Sequence, residues 1–265
     1  MKVVILTDME GVAGITSTDD QCISTSKYLE QSKKLLTGEV NAAVEGIFEE
    51  GGTEVLVFDA HGPGGISYED LHPKALLMHG RPLARWSVTQ EVIQRYELAI
   101  ILGQHAMAGV ERSVLNHTQS SLAIEYFKLN GQPIGETAQF ALFCGALGIP
   151  MIFLAGDHEA CREVEALIPG VTTVAVKEGL SRTCAISLTP TEARRRIREG
   201  VRKALQKQRQ QPLQPLVWKP PFVLEKRYFH SNIADIEYGK NLRVERVDAK
   251  TVRLKADKIL DIIYA

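Results

Sequence analysis

Apolar residues in this chain fall into short, nearly unbroken runs, each ending abruptly in polar groups or glycine. Val3-Val4-Ile5-Leu6 stops at Thr7-Asp8-Met9-Glu10-Gly11, and Val55-Leu56-Val57-Phe58 stops at Asp59-Ala60-His61-Gly62. Leu98-Ala99-Ile100-Ile101-Leu102 gives way to Gly103-Gln104-His105, and Met151-Ile152-Phe153-Leu154-Ala155 to Gly156-Asp157-His158. Such runs read as core strands. Between the first two, residues from about Ser26 to Glu50 place Leu36, Val40, Ala43, Val44 and Ile47 at helical spacing, and Gly51-Gly52 closes that helix. Strand, helix, strand, a linking region and a further strand predict parallel βαβ units. The expected fold class is therefore α/β, with a mostly parallel sheet flanked by helices.

Later patterns add a different kind of unit. Asn130-Gly131 between the runs Leu122 to Leu129 and Gln132-Pro133-Ile134 is a hairpin signal. A helix is expected from Ala138 to Leu147, with Glu136 at its first turn, and a short strand from Thr172 to Val176. Thr189-Pro190-Thr191-Glu192 forms a capping box with proline at the first helical position, opening a helix to about Gln208. The stretch Gln210 to Pro221 reads as a linker or a packed excursion, and it sets an expected boundary near position 210. Residues 1–210 would form the α/β metal-binding catalytic domain and 211–265 a smaller α+β module. That module would contain strands at Phe222–Tyr228, Leu242–Val247 and Thr251–Leu254 and a terminal helix, with residues suited to subunit contacts.

Charge narrows the partners. The 265 residues carry a formal net charge of -1, so nothing in the overall balance calls for nucleic acid or a membrane surface. The arginines of the helix after Thr189 read as a solvated face opposite Ala193, Ile197, Val201, Ala204 and Leu205. No apolar run approaches the length of a membrane span. Cys22, Cys144, Cys161 and Cys184 are widely spaced without a C-x-x-C, which points to reduced thiols in a cytoplasmic protein.

Chemistry concentrates where the strands stop. In open α/β sheets sites form outside the carboxyl ends of the strands, so Asp8, Glu10, His61 and His105 are expected on one rim. On an extended segment Asp8 and Glu10, two residues apart, point to the same side, and Gly11 lets the chain turn away. Asp59 is a candidate acceptor for the His61 ring, Asp157 lies at the same predicted rim, and His158 is expected to be exposed. One carboxylate pair or one histidine alone would be ordinary strand-end polarity; what lifts the pattern above that is its recurrence at three strand ends. Glu136 and His117 complete a mixed oxygen and nitrogen donor set, larger than one tetrahedral zinc site needs. Two metals sharing a carboxylate is the economical reading, and metal-assisted hydrolysis the implied class. Dinucleotide, P-loop, H-E-x-x-H and G-x-S-x-G patterns are all absent from the sequence.

Taken together, Thr-Asp-Met-Glu-Gly at 7–11, Asp-Ala-His at 59–61, Leu-Gly-Gln-His at 102–105, Asn-His at 116–117 and Ile-Gly-Glu at 134–136 resemble the M55 family of D-aminopeptidases, the dipeptide-operon type. The likeness continues through Ala-Gly-Asp at 155–157 and Leu-Ile-Pro at 167–169 to Val-Lys at 176–177, about two thirds of the chain. The resemblance implies a binuclear zinc site using Asp8, Glu10, His61, His105 and Glu136, with Asp8 as the bridge and His117 as the catalytic histidine. It also implies hydrolysis of short peptides with an N-terminal D-amino acid, such as D-Ala-D-Ala, in a homodecamer of two five-fold rings. Two other readings stay open: a metal-dependent hydrolase of another amide or a phosphate ester, and a non-enzymatic ring-forming binding protein.

Overall fold

The computed structural model describes residues 1–240 and 243–265. In chain order its elements begin with β1 (Lys2–Thr7), a single helical turn α1 (Thr18–Gln21), α2 (Leu29–Glu49), β2 (Glu54–Asp59), β3 (Ala75–Met78), α3 (Trp86–Ile93) and β4 (Leu98–Gln104). The hairpin β5 (Ile124–Leu129) and β6 (Gln132–Ile134) follows, then α4 (Glu136–Ala146), β7 (Met151–Asp157), α5 (His158–Leu167), β8 (Thr172–Ser181), β9 (Cys184–Ser187) and α6 (Pro190–Gln210). The remainder holds β10 (Phe222–Tyr228), α7 (Ser231–Lys240), β11 (Glu245–Arg246) and β12 (Thr251–Ala256).

Seven strands form one sheet in the order β3-β2-β1-β4-β7-β8-β9, parallel throughout except for the final β8-β9 pairing. Successive side chains on a strand face opposite ways, and the core divides accordingly. Val3 and Ile5 pack with Leu36, Val40 and Ile47 of α2 and Ile197 and Val201 of α6. Val4 and Leu6 pack on the other side with Phe140 and Phe143 of α4 and Val164 of α5. That second layer also takes in Phe127, Leu224 and Val252, which belong to a five-stranded antiparallel sheet ordered β11-β12-β10-β5-β6.

This second sheet joins distant parts of the chain. The Asn130-Gly131 hairpin forms as expected, both residues taking positive φ, and β5 then pairs with β10 from Leu129↔Leu224 to Ile124↔Tyr228. Strands after position 210 therefore share their sheet with residues 124–134. The stretch expected as linker or packed excursion crosses α4: a Cβ on Gly145 would lie 1.9 Å from the Leu216 carbonyl oxygen, and Leu213, Leu216 and Trp218 pack against the core. The expected terminal helix is a three-residue 3-10 turn, Ile259–Asp261. Leu242, where a strand was expected to start, lies outside the described residues.

Other differences are local. The linking region contains the edge strand β3 and the short helix α3, and the strand expected at 172–176 continues to Ser181 and folds back as β9. Half of the capping box at Thr189 is formed: its hydroxyl accepts the Glu192 amide, while the Glu192 carboxylate turns to Arg195 and Arg196. The arginines of α6 meet acids: Arg198 bonds Glu45 and Glu49, Arg209 bonds Glu50 at 2.6 Å, and Arg195 bridges Glu192 and Glu199 at 2.8 Å. This basic face is thus largely matched by α2 and by its own acids. Among the described residues no helix is long and apolar enough to cross a membrane, and all four cysteines are free thiols.

Candidate metal centre

The rim expected from the strand ends is present, although its first corner is built differently. β1 ends at Thr7, and residues 9–14 turn, the Val12 amide bonding the Met9 carbonyl at 3.1 Å. Asp8 and Glu10 therefore converge through a turn, not along an extended segment. Gly11 keeps ordinary φ and is small for another reason: a Cβ there would lie 2.0 Å from the Gln104 carbonyl oxygen. Gly103 combines both demands, with φ +72 and a virtual Cβ 2.0 Å from the Asp8 carbonyl oxygen. Gly103→Ala should cost about 3 kcal/mol or more by adding left-handed strain to a backbone clash. Chemical denaturation checks this, and a loss below about 0.5 kcal/mol would contradict the described crossing.

Six titratable side chains meet above this crossing. His105 Nε2 lies 3.1 Å from Asp8 Oδ2 and 3.7 Å from Glu136 Oε1, and His117 Nε2 lies 3.7 Å from the same glutamate oxygen. The His105 and His117 rings stack at 4.0 Å between centroids and 18° between planes. His61 Nε2 is 3.5 Å from Glu10 Oε1 and joins the group through that glutamate. Donor atoms of Asp8, Glu10 and His105 lie within 4.8 Å of one another, and so do those of His105, His117 and Glu136. Asp8, Glu10, His61 and His105 are each less than a tenth exposed.

Hydrogen bonds set the orientation of two rings. His105 Nδ1 faces the Ala106 carbonyl at 2.8 Å and His117 Nδ1 the Leu115 carbonyl at 2.9 Å, so both rings donate from Nδ1 and leave Nε2 facing the carboxylates. Glu136, the first residue of α4, accepts the Gln119 amide at 2.7 Å. Gln104 Nε2 lies 3.4 Å from Asp8 Oδ2, and Asp8 Oδ1 accepts the Met9 amide at 2.9 Å.

Among the described residues, several buried atoms here have no hydrogen-bond partner: Glu10 Oε2, His61 Nδ1 and His105 Nε2. A lone pair on an imidazole nitrogen facing carboxylate oxygens is repulsive unless a proton or a cation lies between them. In the metal-free chain the proton takes that place. Burial opposes charge on His105, but Asp8 and then Glu136 outweigh it and raise its pKa to about 10. Burial likewise disfavours the Glu10 carboxylate, yet the bond and charge of His61 hold its pKa well below the usual range. Burial and the His105 charge push His117 down to about 4, keeping it neutral, and burial raises Glu136 to about 7. Two buried carboxylates and the half-buried Glu136, with imidazole donors beside them, fit divalent transition metal ions, zinc among them.

The supporting residues differ from expectation. Asp59 does not reach the His61 ring; its carboxylate accepts the Gly65 and Ile66 amides, at 2.9 and 3.3 Å, because the loop after His61 folds back over the end of β2. Asp157 caps α5 through the Glu159 amide and accepts the Val114 amide at 3.0 Å, holding the loop that carries His117. His158 is half-buried against Glu159. Beneath the 8–16 turn, Glu39 accepts the Ala13 amide at 3.1 Å, and burial raises its pKa from 4.5 to about 7. Between those values the folded chain holds a proton that the unfolded chain has released. The Glu39 contribution to stability is therefore fully present below pH 4.5 and is lost as pH rises towards 7. Glu39→Gln should flatten this window and stabilise the chain above it by on the order of 2–3 kcal/mol, read from denaturation midpoints at pH 5 and 8.

The cluster lies at one side of a cavity of about 420 Å³ whose lining also includes Leu83, Trp86, Gln119, Leu122 and Tyr264. Trp86 stacks on Tyr264 at 3.7 Å, closing one wall. Neither the aromatic wall nor Gln119 carried a signal in the sequence, since both depend on contacts between distant segments.

A family model described as D-aminopeptidase, peptidase family M55, matches residues 1–265, extending the resemblance over the C-terminal third. A D-aminopeptidase of Bacillus subtilis (strain 168) is 35% identical over 218 residues, 81% of this chain and 78% of that protein. The solved structure of the Zn-dependent D-aminopeptidase DppA from Bacillus subtilis, a self-compartmentalizing protease, superposes with a TM-score of 0.91 at 30% identity, covering 99% of this chain and 94% of that one. With the family motifs at the ends of β1, β2 and β4 and at the start of α4, this chain belongs to the M55 family of D-aminopeptidases.

Proposed function

We propose that this chain is a binuclear zinc aminopeptidase acting on short peptides with an N-terminal D-amino acid, such as D-Ala-D-Ala. The observation that carries the reading is that Glu10 Oε2 and His105 Nε2, buried and without a hydrogen-bond partner among the described residues, converge with Asp8 and Glu136, while His61 Nε2 faces Glu10. Asp8, Glu10, His61, His105 and Glu136 would hold the two ions. Bound zinc would polarise the scissile carbonyl and acidify water. His117, whose Nδ1 donates to the Leu115 carbonyl and leaves Nε2 as the acceptor, would take the proton of the attacking water at Nε2 and return it to the leaving amine.

The carboxylates suit a peptide's amino end, and the apolar wall of Leu83, Trp86 and Leu122 suits small alkyl side chains. The related protease named as self-compartmentalizing supports a closed assembly for this chain, read as a decamer of two five-fold rings in the cytoplasm. Exposed Phe229, Ile236, Tyr238 and Val247 support residues 211–265 as an accessory module making subunit contacts, with 1–210 as the catalytic part.

Initial rates on D-Ala-D-Ala, L-Ala-L-Ala and p-nitrophenyl phosphate with zinc-loaded protein test the reading. D-peptide turnover at least about tenfold above the others is expected, roughly 1.4 kcal/mol of discrimination. Preference for the phosphate ester would overturn it.

A further inference from the structure

Two cations reach the backbone beneath the candidate metal ligands without touching the ligand side chains. Lys177, on β8, is 3% exposed, and its ammonium donates to the carbonyls of Glu10, Val12 at 3.1 Å and Ile15 at 2.6 Å. These carbonyls belong to the turn that brings Glu10 to Asp8. Arg81 does the same for the next loop: its guanidinium donates to the carbonyls of His61, Gly62 at 2.5 Å and Asp59 at 3.1 Å.

Burying a lysine is costly, and three carbonyls at a turn could have been satisfied by amides or water. An ammonium with three donors ties three separate points of the turn to one atom, and a planar guanidinium does so with fixed directions. We propose that Lys177 and Arg81 are positioning residues of the metal centre, each fixing the backbone of one ligand-bearing loop, and so setting zinc affinity at Glu10 and His61. The inference rests on the metal reading above. A purely structural clamp would instead lower stability and leave the affinity of the folded site unchanged.

The test compares unmodified chain, Lys177→Met, Arg81→Gln and Lys226→Met. Lys226 is the matched control: it is a buried lysine on β10 that donates to the Ala265 carbonyl, outside both ligand loops. Zinc affinity is measured by competition with a chromophoric chelator, and the cobalt-substituted forms give a ligand-field spectrum. Folding of each metal-free variant is checked by circular dichroism and cooperative unfolding.

Lys177→Met and Arg81→Gln are expected to weaken at least one zinc site about 10–100-fold and to shift the cobalt bands, with Lys226→Met within twofold of the unmodified chain. Where Lys177→Met fails to fold, Arg81→Gln, whose side chain is exposed, decides alone. Variants that fold and hold zinc within twofold of the unmodified chain would overturn the inference while leaving the metal reading intact. No zinc binding by the unmodified chain would overturn both.

Discussion

His105→Ala is expected to remove peptidase activity by about 10³-fold or more and to lower the zinc bound per chain. This residue belongs to both groupings of candidate donors, lying 3.1 Å from Asp8 and 3.7 Å from Glu136, and it stacks on His117. Its loss therefore reaches every part of the site. In the metal-free chain the raised pKa of His105 makes it the counter-charge for buried carboxylates, so the variant should also be less stable by about 3–5 kcal/mol before zinc is added. Chemical denaturation with chelator, beside metal content and turnover, separates the two effects. Full activity with full zinc content would rule out the proposed ligand set.

His117→Asn should behave differently. Its amide can keep the bond that His117 Nδ1 makes to the Leu115 carbonyl while removing the group that accepts a proton at Nε2. The expected result is a fall in kcat of about 10²- to 10⁴-fold, little change in zinc content, and loss of one limb of the pH–rate profile. His117 also lies within the second donor grouping, so metal analysis of this variant is informative. Zinc lost in parallel with activity would make His117 a ligand, and its assignment as the proton-moving residue would fail.

Local signals in the sequence were legible because they depend on near neighbours. Unbroken apolar runs marked β1, β2, β4 and β7, Asn130-Gly131 marked its hairpin, and the Thr189 capping box marked the start of α6. The parallel order of those strands follows from the βαβ pattern, which is why sequence alone places Asp8, Glu10, His61 and His105 on one rim. Glu136 and His117 reach that rim through longer connections; they entered the donor set by residue type, and the family motifs supplied their roles.

What stayed hidden depends on partners far apart in the chain. Leu122–Leu129 and Phe222–Tyr228 read as extended runs, but nothing local says that they pair across Leu129 and Leu224. β3 is a four-residue edge strand and α3 has eight residues, both too short for a periodic signal. Lys177 enters the sequence reading only within the Val-Lys match at 176–177, and only the folded chain brings the carbonyls of Glu10, Val12 and Ile15 around it. Asp59 shows the converse: its spacing from His61 suggested a ring partner, whereas the Gly65 and Ile66 amides were nearer.

Everything proposed for catalysis depends on metal in the cluster above β1, β2 and β4, and elemental analysis of protein purified without chelator tests that most directly. About two zinc ions per chain are predicted, from a donor set larger than one tetrahedral ion requires. A chain that holds no transition metal, even after incubation with zinc and removal of the excess, would contradict the assignment.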